Sequence, residues 1–147
     1  MKPEDIVISL HDAMQKGDFK KARTFLTDDF QFMSQMPAPL SADEWMDMSS
    51  VLRKAFPDLQ YKFKLVGTRG SVLKTTAELG GTHKGDLDLT KSGLGVIPPT
   101  GKSFRMPIVH FEVTLQGDKI SRYYGEKTEG AGVTGMLEAL GVKMPTR

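Results

Sequence analysis

The sequence predicts an α+β fold in which helices lie on one side of a mostly antiparallel sheet. Segments with helical periodicity come mainly before segments with strand-like alternation, and Pro and Gly residues separate them. The predicted order is α-α-β-α-β-β-β-β-α, without internal repeats. A length of 147 residues with 39% hydrophobic content is typical of one domain with a substantial core, so we expect residues 1–147 to form a single domain.

Composition limits the classes of function. The chain has no Cys, which excludes disulfides, thiolate catalysis and Cys-ligated metal sites, and we expect a reducing, cytoplasmic location. Its 20 basic and 18 acidic residues give a net charge of +2, which argues against a nucleic-acid partner. The N-terminal segment MKPED lacks the features of a signal peptide, and no run approaches the roughly 18 apolar residues that a membrane span needs. We therefore expect no membrane partner.

The first part of the chain predicts a helical hairpin. Pro3 suits the first turn of a helix, and Gly17 is typical of a helix end. Asp18 is placed to cap a second helix, Phe19 to Leu26. His11 lies among polar neighbours on the first helix, so we expect its side chain to be exposed.

A first strand and a third helix follow. Residues Asp29 to Met33 alternate as a strand does. Ser41 and Glu44 have the capping-box spacing for a helix that runs to Ala55, and Pro57 ends it. One apolar stripe of this helix contains four side chains: Trp45, Met48, Leu52 and Phe56.

The second half of the chain predicts four strands. They are Gln60 to Arg69, Ser71 to His83, Lys102 to Leu115 and Lys119 to Glu126. Gly80 and Gly81 predict a bend within the second of these strands. Gly85 to Thr100 predicts a loop over the mouth of the sheet, and Gln116 to Asp118 closes a hairpin. A terminal helix is expected from Val133 to Leu140.

Alternation assigns the side chains of the last two strands to faces. On the first of them, one face carries Phe104, Met106, Ile108, His110 and Glu112, and the other carries Val109, Phe111, Val113 and Leu115. On the second, Ile120, Arg122, Tyr124 and Glu126 point together. Because both faces carry apolar residues, we expect helices or another subunit to cover each of them. His110, Tyr124 and Glu126 stand in otherwise core-like positions and are therefore candidates for chemistry.

Five short motifs occur in order along nearly the whole chain. They are AFPDL at 55–59, GTHKG at 81–85, IPPTGK at 97–102, GDKI at 117–120 and MLEALG at 136–141. With the order of elements, they resemble the SnoaL-like polyketide cyclases, also called ester cyclases, of the NTF2-like superfamily. The resemblance implies a cone-shaped α+β barrel whose N-terminal helices pack on the concave face of a curved sheet, with an apolar pocket between them. It also implies a homodimer that packs through the sheet, a small hydrophobic ligand or substrate, no metal and no organic cofactor.

The resemblance also implies a reaction. In characterised members the pocket closes a polyketide ring by intramolecular aldol condensation, with an aspartate as the general acid/base. The resemblance places that aspartate within Thr128 to Gly132, where this sequence has no Asp. Glu126 and Glu129 supply the nearby carboxylates.

Aldol closure requires a base, a donor for the enolate oxygen and a dry pocket. We predict that Glu126 is the acid/base group, His110 a second acid/base or oxyanion donor, and Tyr124 a hydrogen-bond donor. The predicted substrate-binding residues are Trp45, Phe56, His83, Met106, Ile108 and Arg122.

Structural roles for the same residues stay open. Glu126 could be solvated or paired with Arg122, His110 could serve the core or an interface, and His83 could fix a turn. No two His residues have the i, i+4 or i, i+2 spacing of metal ligands, so no metal site is predicted.

The predicted function is that of a cofactor-independent cyclase or isomerase that acts on a small hydrophobic carbonyl compound, polyketide-like or steroid-like, through an enolate. Two alternatives are a non-catalytic protein that binds a small hydrophobic ligand and a dimeric interaction module.

Overall fold

The structure is a computed structural model. It describes residues 2–34, 38–90, 93 and 95–142, and for residues 132–134 it describes the backbone alone. The helices are α1 (Pro3–Lys16), α2 (Phe19–Arg23), α3 (Ala42–Ala55) and α4 (Gly132–Ala139). The strands are β1 (Leu26–Met33), β2 (Lys64–Arg69), β3 (Val72–Ala77), β4 (Gly80–Thr82), β5 (Leu87–Leu89), β6 (Gly95–Ile97), β7 (Ser103–Arg105), β8 (Val109–Gln116) and β9 (Lys119–Gly125).

The ends of the first and third helices are set by local chemistry that the sequence predicts. α1 begins at Pro3 and ends at Gly17, whose φ of 77° is left-handed and is adopted readily by glycine. At the start of α3, the Ser41 hydroxyl accepts from Glu44 N at 3.2 Å, and the Glu44 carboxylate accepts from Ser41 N at 2.9 Å. The predicted capping box is confirmed, because each side chain satisfies a backbone N–H that the helix leaves unpaired.

The main sheet has five strands in the order β1-β9-β8-β3-β2 and is curved and mostly antiparallel, as predicted. β1 pairs with β9 in parallel, and the other neighbours pair antiparallel. Two smaller pairs, β4 with β7 and β5 with β6, lie outside this sheet. The segment that was predicted to be a loop, Gly85 to Thr100, therefore contains a short antiparallel pair.

The inner face of the sheet is buried beneath the helices. On β8 this face carries Val109, Phe111, Val113 and Leu115, as the alternation predicts. Trp45 of α3 stacks on Phe32 of β1 with ring centroids 4.7 Å apart and contacts Tyr123 of β9 at 5.2 Å. The concave face and the N-terminal helices thus share one apolar core.

Four predicted elements were too long. The strand predicted from Gln60 to Arg69 begins only at Lys64, as β2. Leu26 starts β1 and does not end α2, so the helix stops at Arg23. The strand predicted from Ser71 to His83 is divided into β3 and β4. The strand predicted from Lys102 to Leu115 is divided into β7 and β8, with Pro107 between them, because proline cannot donate a ladder hydrogen bond.

These interruptions correct the predicted faces. Phe104 is buried on β7, whereas Ile108 is 53% exposed, so the two residues do not share a face across the break. The pairing of β8 with β9 likewise changes register between Thr114 and Leu115. Opposite this shift, Ile120 of β9 is buried in the core, whereas Arg122 is exposed on the outer face. Alternation holds only along an unbroken strand, and a bulge reverses it.

Candidate functional site

Two polar side chains from opposite ends of the chain meet inside the core. His11 of α1 is 7% exposed, and its Nε2 lies 2.5 Å from the hydroxyl of Tyr123 on β9. Phe63 stacks on the imidazole with ring centroids 3.8 Å apart. The prediction that His11 is exposed was therefore wrong, because the apolar face of α1 includes it: Val7, four residues before it, and Met14, three residues after it, are both buried.

Burial shifts the titration of these groups towards their neutral forms. Desolvation lowers the pKa of His11 from 6.5 to about 3, so the imidazole is neutral near pH 7. Desolvation also raises the pKa of Tyr123 far above its usual range, against a smaller lowering effect of Thr75. Both groups therefore act as neutral hydrogen-bonding partners.

A second buried phenol lies close to this pair. Tyr61 is 8% exposed, and burial raises its pKa to about 12, with smaller lowering effects from Arg53 and Ser49. The two phenols lie near each other, since a negative charge on Tyr61 would raise the pKa of Tyr123 further. Tyr61 stays protonated at neutral pH and can donate its hydroxyl proton.

Three polar atoms of this cluster have no hydrogen-bond partner among the described residues. They are Nδ1 of His11, the hydroxyl of Tyr61 and Oγ1 of Thr75. The Ser49 hydroxyl, which donates its proton to the Trp45 carbonyl oxygen at 2.8 Å, lies near Tyr61 without forming a hydrogen bond to it. Leaving a buried polar atom unpaired costs about 1–3 kcal/mol, so such a cluster favours a ligand that supplies the missing partners.

An open surface groove of about 480 Å³ lies beside the cluster, between α1 and the segment 60–63. The groove is lined by Ile8, His11, Asp12, Gln15, Gln60, Tyr61, Lys62 and Phe63. Its volume lies in the range of about 300–1,000 Å³ that is usual for small-molecule sites. The four lining residues of α1 have the spacing i, i+3, i+4 and i+7, which places them along one helical stripe.

The facing wall of the groove is fixed by hydrogen bonds to α1. The Gln15 amide donates to the Leu59 carbonyl oxygen at 2.8 Å and accepts from Tyr61 N at 3.1 Å. Lys62, between Tyr61 and Phe63, has a φ of 44°, which side chains other than glycine seldom adopt. Backbone strain of this kind is often found at functional sites, where the surrounding structure maintains it.

The hydrogen bond between His11 and Tyr123 can run in either direction, depending on the tautomer of His11, and in one tautomer the phenol is the donor. Tyr123 keeps its proton and can donate it to Nε2 of His11. A neutral imidazole carries one ring proton, which then lies on Nδ1. In this tautomer two residues that line the groove each carry a buried donor without a partner among the described residues: the Nδ1–H of His11 and the hydroxyl of Tyr61.

The three predicted catalytic residues lie elsewhere. His110, Tyr124 and Glu126 are exposed on or beside the outer face of the sheet, and Tyr124 is 39% exposed. Arg122 lies beside Tyr124, with its guanidinium carbon 5.6 Å from the ring centroid. The structure does not bring these side chains to the interior groove, and their catalytic roles stay a prediction.

The predicted substrate-binding residues are divided between the core and the surface. Trp45, Phe56 and His83 are buried, Met106 is half-buried, and Ile108 and Arg122 are exposed. None of the six lines the groove. Their binding roles also stay a prediction.

His83 has a definite structural contact. Its Nδ1 accepts from Thr100 N at 3.2 Å, and Gly101 N donates to its carbonyl oxygen at 2.9 Å. Because a backbone N–H can only donate, the ring proton of the neutral imidazole lies on Nε2, which has no partner in the described part of the chain. His83 therefore fixes the turn at 100–101.

Sequence reasoning missed His11, Tyr61 and Tyr123. The helical spacing of His11 from Val7 and Met14 could have identified it as buried. The groove itself could not be read from the sequence, since it depends on the approach of segment 60–63 to α1.

No cluster of three metal-ligating side chains occurs within the described ranges. No helix there is long and apolar enough to cross a bilayer.

Solved structures of similar fold provide an independent comparison. IdmH of Streptomyces antibioticus, a candidate polyketide cyclase, is 20% identical with a TM-score of 0.71, over 97% of this chain and 100% of that chain. A candidate SnoaL-like polyketide cyclase of Jannaschia sp. CCS1 is 19% identical with a TM-score of 0.73, over 97% and 93%. AclR of Streptomyces galilaeus, a candidate hydroxylase, is 17% identical with a TM-score of 0.71, over 97% of each chain.

At such identities the likeness establishes the NTF2-like fold alone, and the names differ in the reaction that they state. No curated protein matches the chain. The model of the SnoaL-like polyketide cyclases, however, matches residues 4–125. Since this match covers most of the sequence and agrees with the fold, the chain belongs to the SnoaL-like polyketide cyclase family.

Proposed function

We propose that the protein is a cofactor-independent cyclase or isomerase that acts on a small hydrophobic carbonyl compound through an enolate. The observation that carries this proposal is that two residues lining the groove each have a buried polar atom without a partner among the described residues, Nδ1 of His11 and the hydroxyl of Tyr61. A carbonyl oxygen placed between two such donors gains hydrogen bonds that strengthen as it becomes an enolate oxygen. The aromatic rings around the groove suit a substrate with an apolar, flat body.

The raised pKa of Tyr61 supports this role. A phenol that stays protonated can donate to a developing oxyanion without ionising itself. Removing one donor of this kind commonly lowers kcat by about 10²–10³-fold. Membership of the family supports the class of reaction, and the polyketide-like or steroid-like nature of the substrate is part of the proposal.

The test is turnover of a panel of polyketide-like and steroid-like ketones by the purified protein, followed by mass spectrometry. We expect Tyr61→Phe to lower kcat by about 10²-fold, because it removes one donor and keeps the ring. Glu126→Gln and His110→Ala test the competing assignment on the outer face. Full activity of Tyr61→Phe together with loss of activity in those two variants would transfer the chemistry to the outer face.

A non-catalytic binding protein is the second candidate function. It is favoured by the composition of the buried cluster, in which the described polar groups are neutral imidazole, phenol and hydroxyl. This alternative predicts a bound hydrophobic molecule in native mass spectra and no turnover on the panel.

Assembly and location complete the proposal. Ile108 and Tyr124 are exposed apolar side chains on the outer face, which supports a homodimer or interaction module that buries this face. Analytical ultracentrifugation tests it, and a monomer at high concentration would contradict it. The absence of Cys supports a cytoplasmic location, which fractionation of cells can check.

A further inference from the structure

We propose that Asp12 is the general base of the groove and removes a proton from the carbon beside a substrate carbonyl. This inference rests on the proposed function and names a residue that neither the family motifs nor the outer-face candidates include. Asp12 is the one carboxylate among the residues that line the groove within the described chain. It follows His11 directly, so the base and one oxyanion donor lie on the same helix.

The position of Asp12 on α1 fits this role. Ile8 precedes it by four residues and Gln15 follows it by three, so all three side chains lie along the stripe that borders the groove. The deeper member of this stripe is His11, whose Nδ1 has no partner among the described residues. His11 and Tyr61 are buried whereas the Asp12 side chain is 63% exposed, so a substrate that reaches the two donors extends past the carboxylate at the rim of the groove.

The surroundings of Asp12 also fit this role. Its Oδ2 lies 3.1 Å from Nζ of Lys16, and its side chain is 63% exposed. The ion pair lies along the helix surface, and most of the Asp12 side chain stays accessible at the rim of the groove. A substrate seated in the groove displaces water from the rim, and removing water from a carboxylate favours proton transfer to it.

The step balances without an added reagent. The C–H bond breaks, its proton joins a carboxylate oxygen of Asp12, and its electron pair moves through the carbon to the carbonyl oxygen. The hydroxyl of Tyr61 and the Nδ1–H of His11 donate to the enolate oxygen that forms. In an isomerisation Asp12 returns the proton to another carbon of the enolate. In a cyclisation the enolate carbon bonds to a second carbonyl carbon, whose oxygen receives the proton.

The experiment measures proton abstraction apart from product formation. Purified protein is incubated in D₂O with 2-tetralone and with each ketone of the panel, and loss of the proton signal beside the carbonyl is followed by NMR above the buffer background. We expect exchange by the unmodified protein and a loss of about 10²-fold or more in Asp12→Asn, since general bases contribute about 10²–10⁴-fold. Binding of 2-tetralone, measured by calorimetry, should change less than about threefold.

The matched control is Asp43→Asn. Asp43 is also an exposed helical aspartate in an ion pair, with its Oδ1 2.9 Å from Nε of Arg23, and it lies outside the groove. We expect this variant to exchange as the unmodified protein does. Equal losses in both variants would attribute the effect to surface charge and would overturn the role of Asp12.

The outcomes separate this inference from the proposed function. Exchange that depends on Asp12 without product from any ketone supports the base and contradicts the cyclase or isomerase. Product formation that Asp12→Asn leaves unchanged supports the enzyme and overturns the base. Absence of exchange with every ketone, or exchange undiminished in Asp12→Asn, overturns the assignment of Asp12.

Discussion

His11 and Tyr123 stand 112 positions apart in the chain, yet Nε2 of the imidazole lies 2.5 Å from the phenolic oxygen in the buried interior. This contact joins α1 to β9 beneath the aromatic core. The properties of the cluster depend on it, because it occupies Nε2 of His11 and leaves Nδ1 without a partner among the described residues. It also leads to the first two testable predictions.

Replacing Tyr123 by Phe should lower the free energy of unfolding by about 1–3 kcal/mol, because it leaves Nε2 of His11 buried and unpaired. Urea denaturation measures the change. Tyr124→Phe is the matched control and should stay within about 0.5 kcal/mol, since that ring is exposed and keeps its contact with Arg122. Equal losses in the two variants would contradict a stabilising role for the contact with His11.

The free energy of unfolding should fall at acid pH, because His11 binds a proton more readily in the unfolded chain than in the folded one. Its pKa is 6.5 in the unfolded reference and about 3 in the fold, so the unfolded chain binds the extra proton between these values. The contribution is fully present above pH 6.5 and is lost as the pH falls towards 3, at about 1.4 kcal/mol per pH unit. Urea denaturation at a series of pH values measures this slope. His11→Gln should flatten it, whereas the exposed His110→Gln should keep it, and the same slope in both variants would contradict the prediction.

The backbone strain at Lys62 can be measured with a pair of variants. A left-handed φ costs a residue with a side chain about 1–2 kcal/mol relative to glycine. Both Lys62→Ala and Lys62→Gly remove the half-exposed ion pair with Glu78, and only the glycine relieves the backbone. We expect Lys62→Gly to be more stable than Lys62→Ala by about 1 kcal/mol in thermal or urea unfolding. A less stable glycine variant would show that the chain entropy outweighs the strain.

Gly85 should tolerate no side chain. A Cβ at this position would lie 2.2 Å from the Lys54 carbonyl oxygen, where backbone must move to admit it. We expect Gly85→Ala to lose about 1–3 kcal/mol of unfolding free energy, measured by urea denaturation. At Gly67 an added Cβ meets nothing within 4 Å, so Gly67→Ala is the control and should not be destabilised. Similar losses at both glycines would indicate a general intolerance of alanine in these segments.

Local signals in the sequence predicted much of the fold. Pro3, Gly17 and the capping pair of Ser41 and Glu44 define helix ends through contacts within a few residues, and such contacts can be read from spacing. The inner face of β8 followed from alternation, because that strand is regular. The breaks at Pro107 and in the strand predicted from Ser71 to His83 were missed, since the ends of strands depend on their neighbours.

The candidate site was predicted less well, for a physical reason. Alternation identified His110 and Tyr124 as polar residues among apolar ones and so as candidate site residues. Alternation alone does not show which face of the sheet the helices cover. The covered face carries Tyr123, so its neighbours on the strand point outward. His11 was missed because its polar neighbours, Asp12 among them, indicate a polar face, although its helical spacing from Val7 matches the buried stripe.

The pairing of β1 with β9 has a consequence for the order of assembly. These two strands are separated by most of the chain, so their parallel contact carries a large loop-closure entropy and comes late in a search that starts from local contacts. A nascent polypeptide leaving the ribosome could form α1 and the β2–β3 hairpin long before β9 emerged. Tyr123 belongs to β9, so a truncated translation product without β9 would lack both the strand that pairs with β1 and the hydrogen-bond partner of His11.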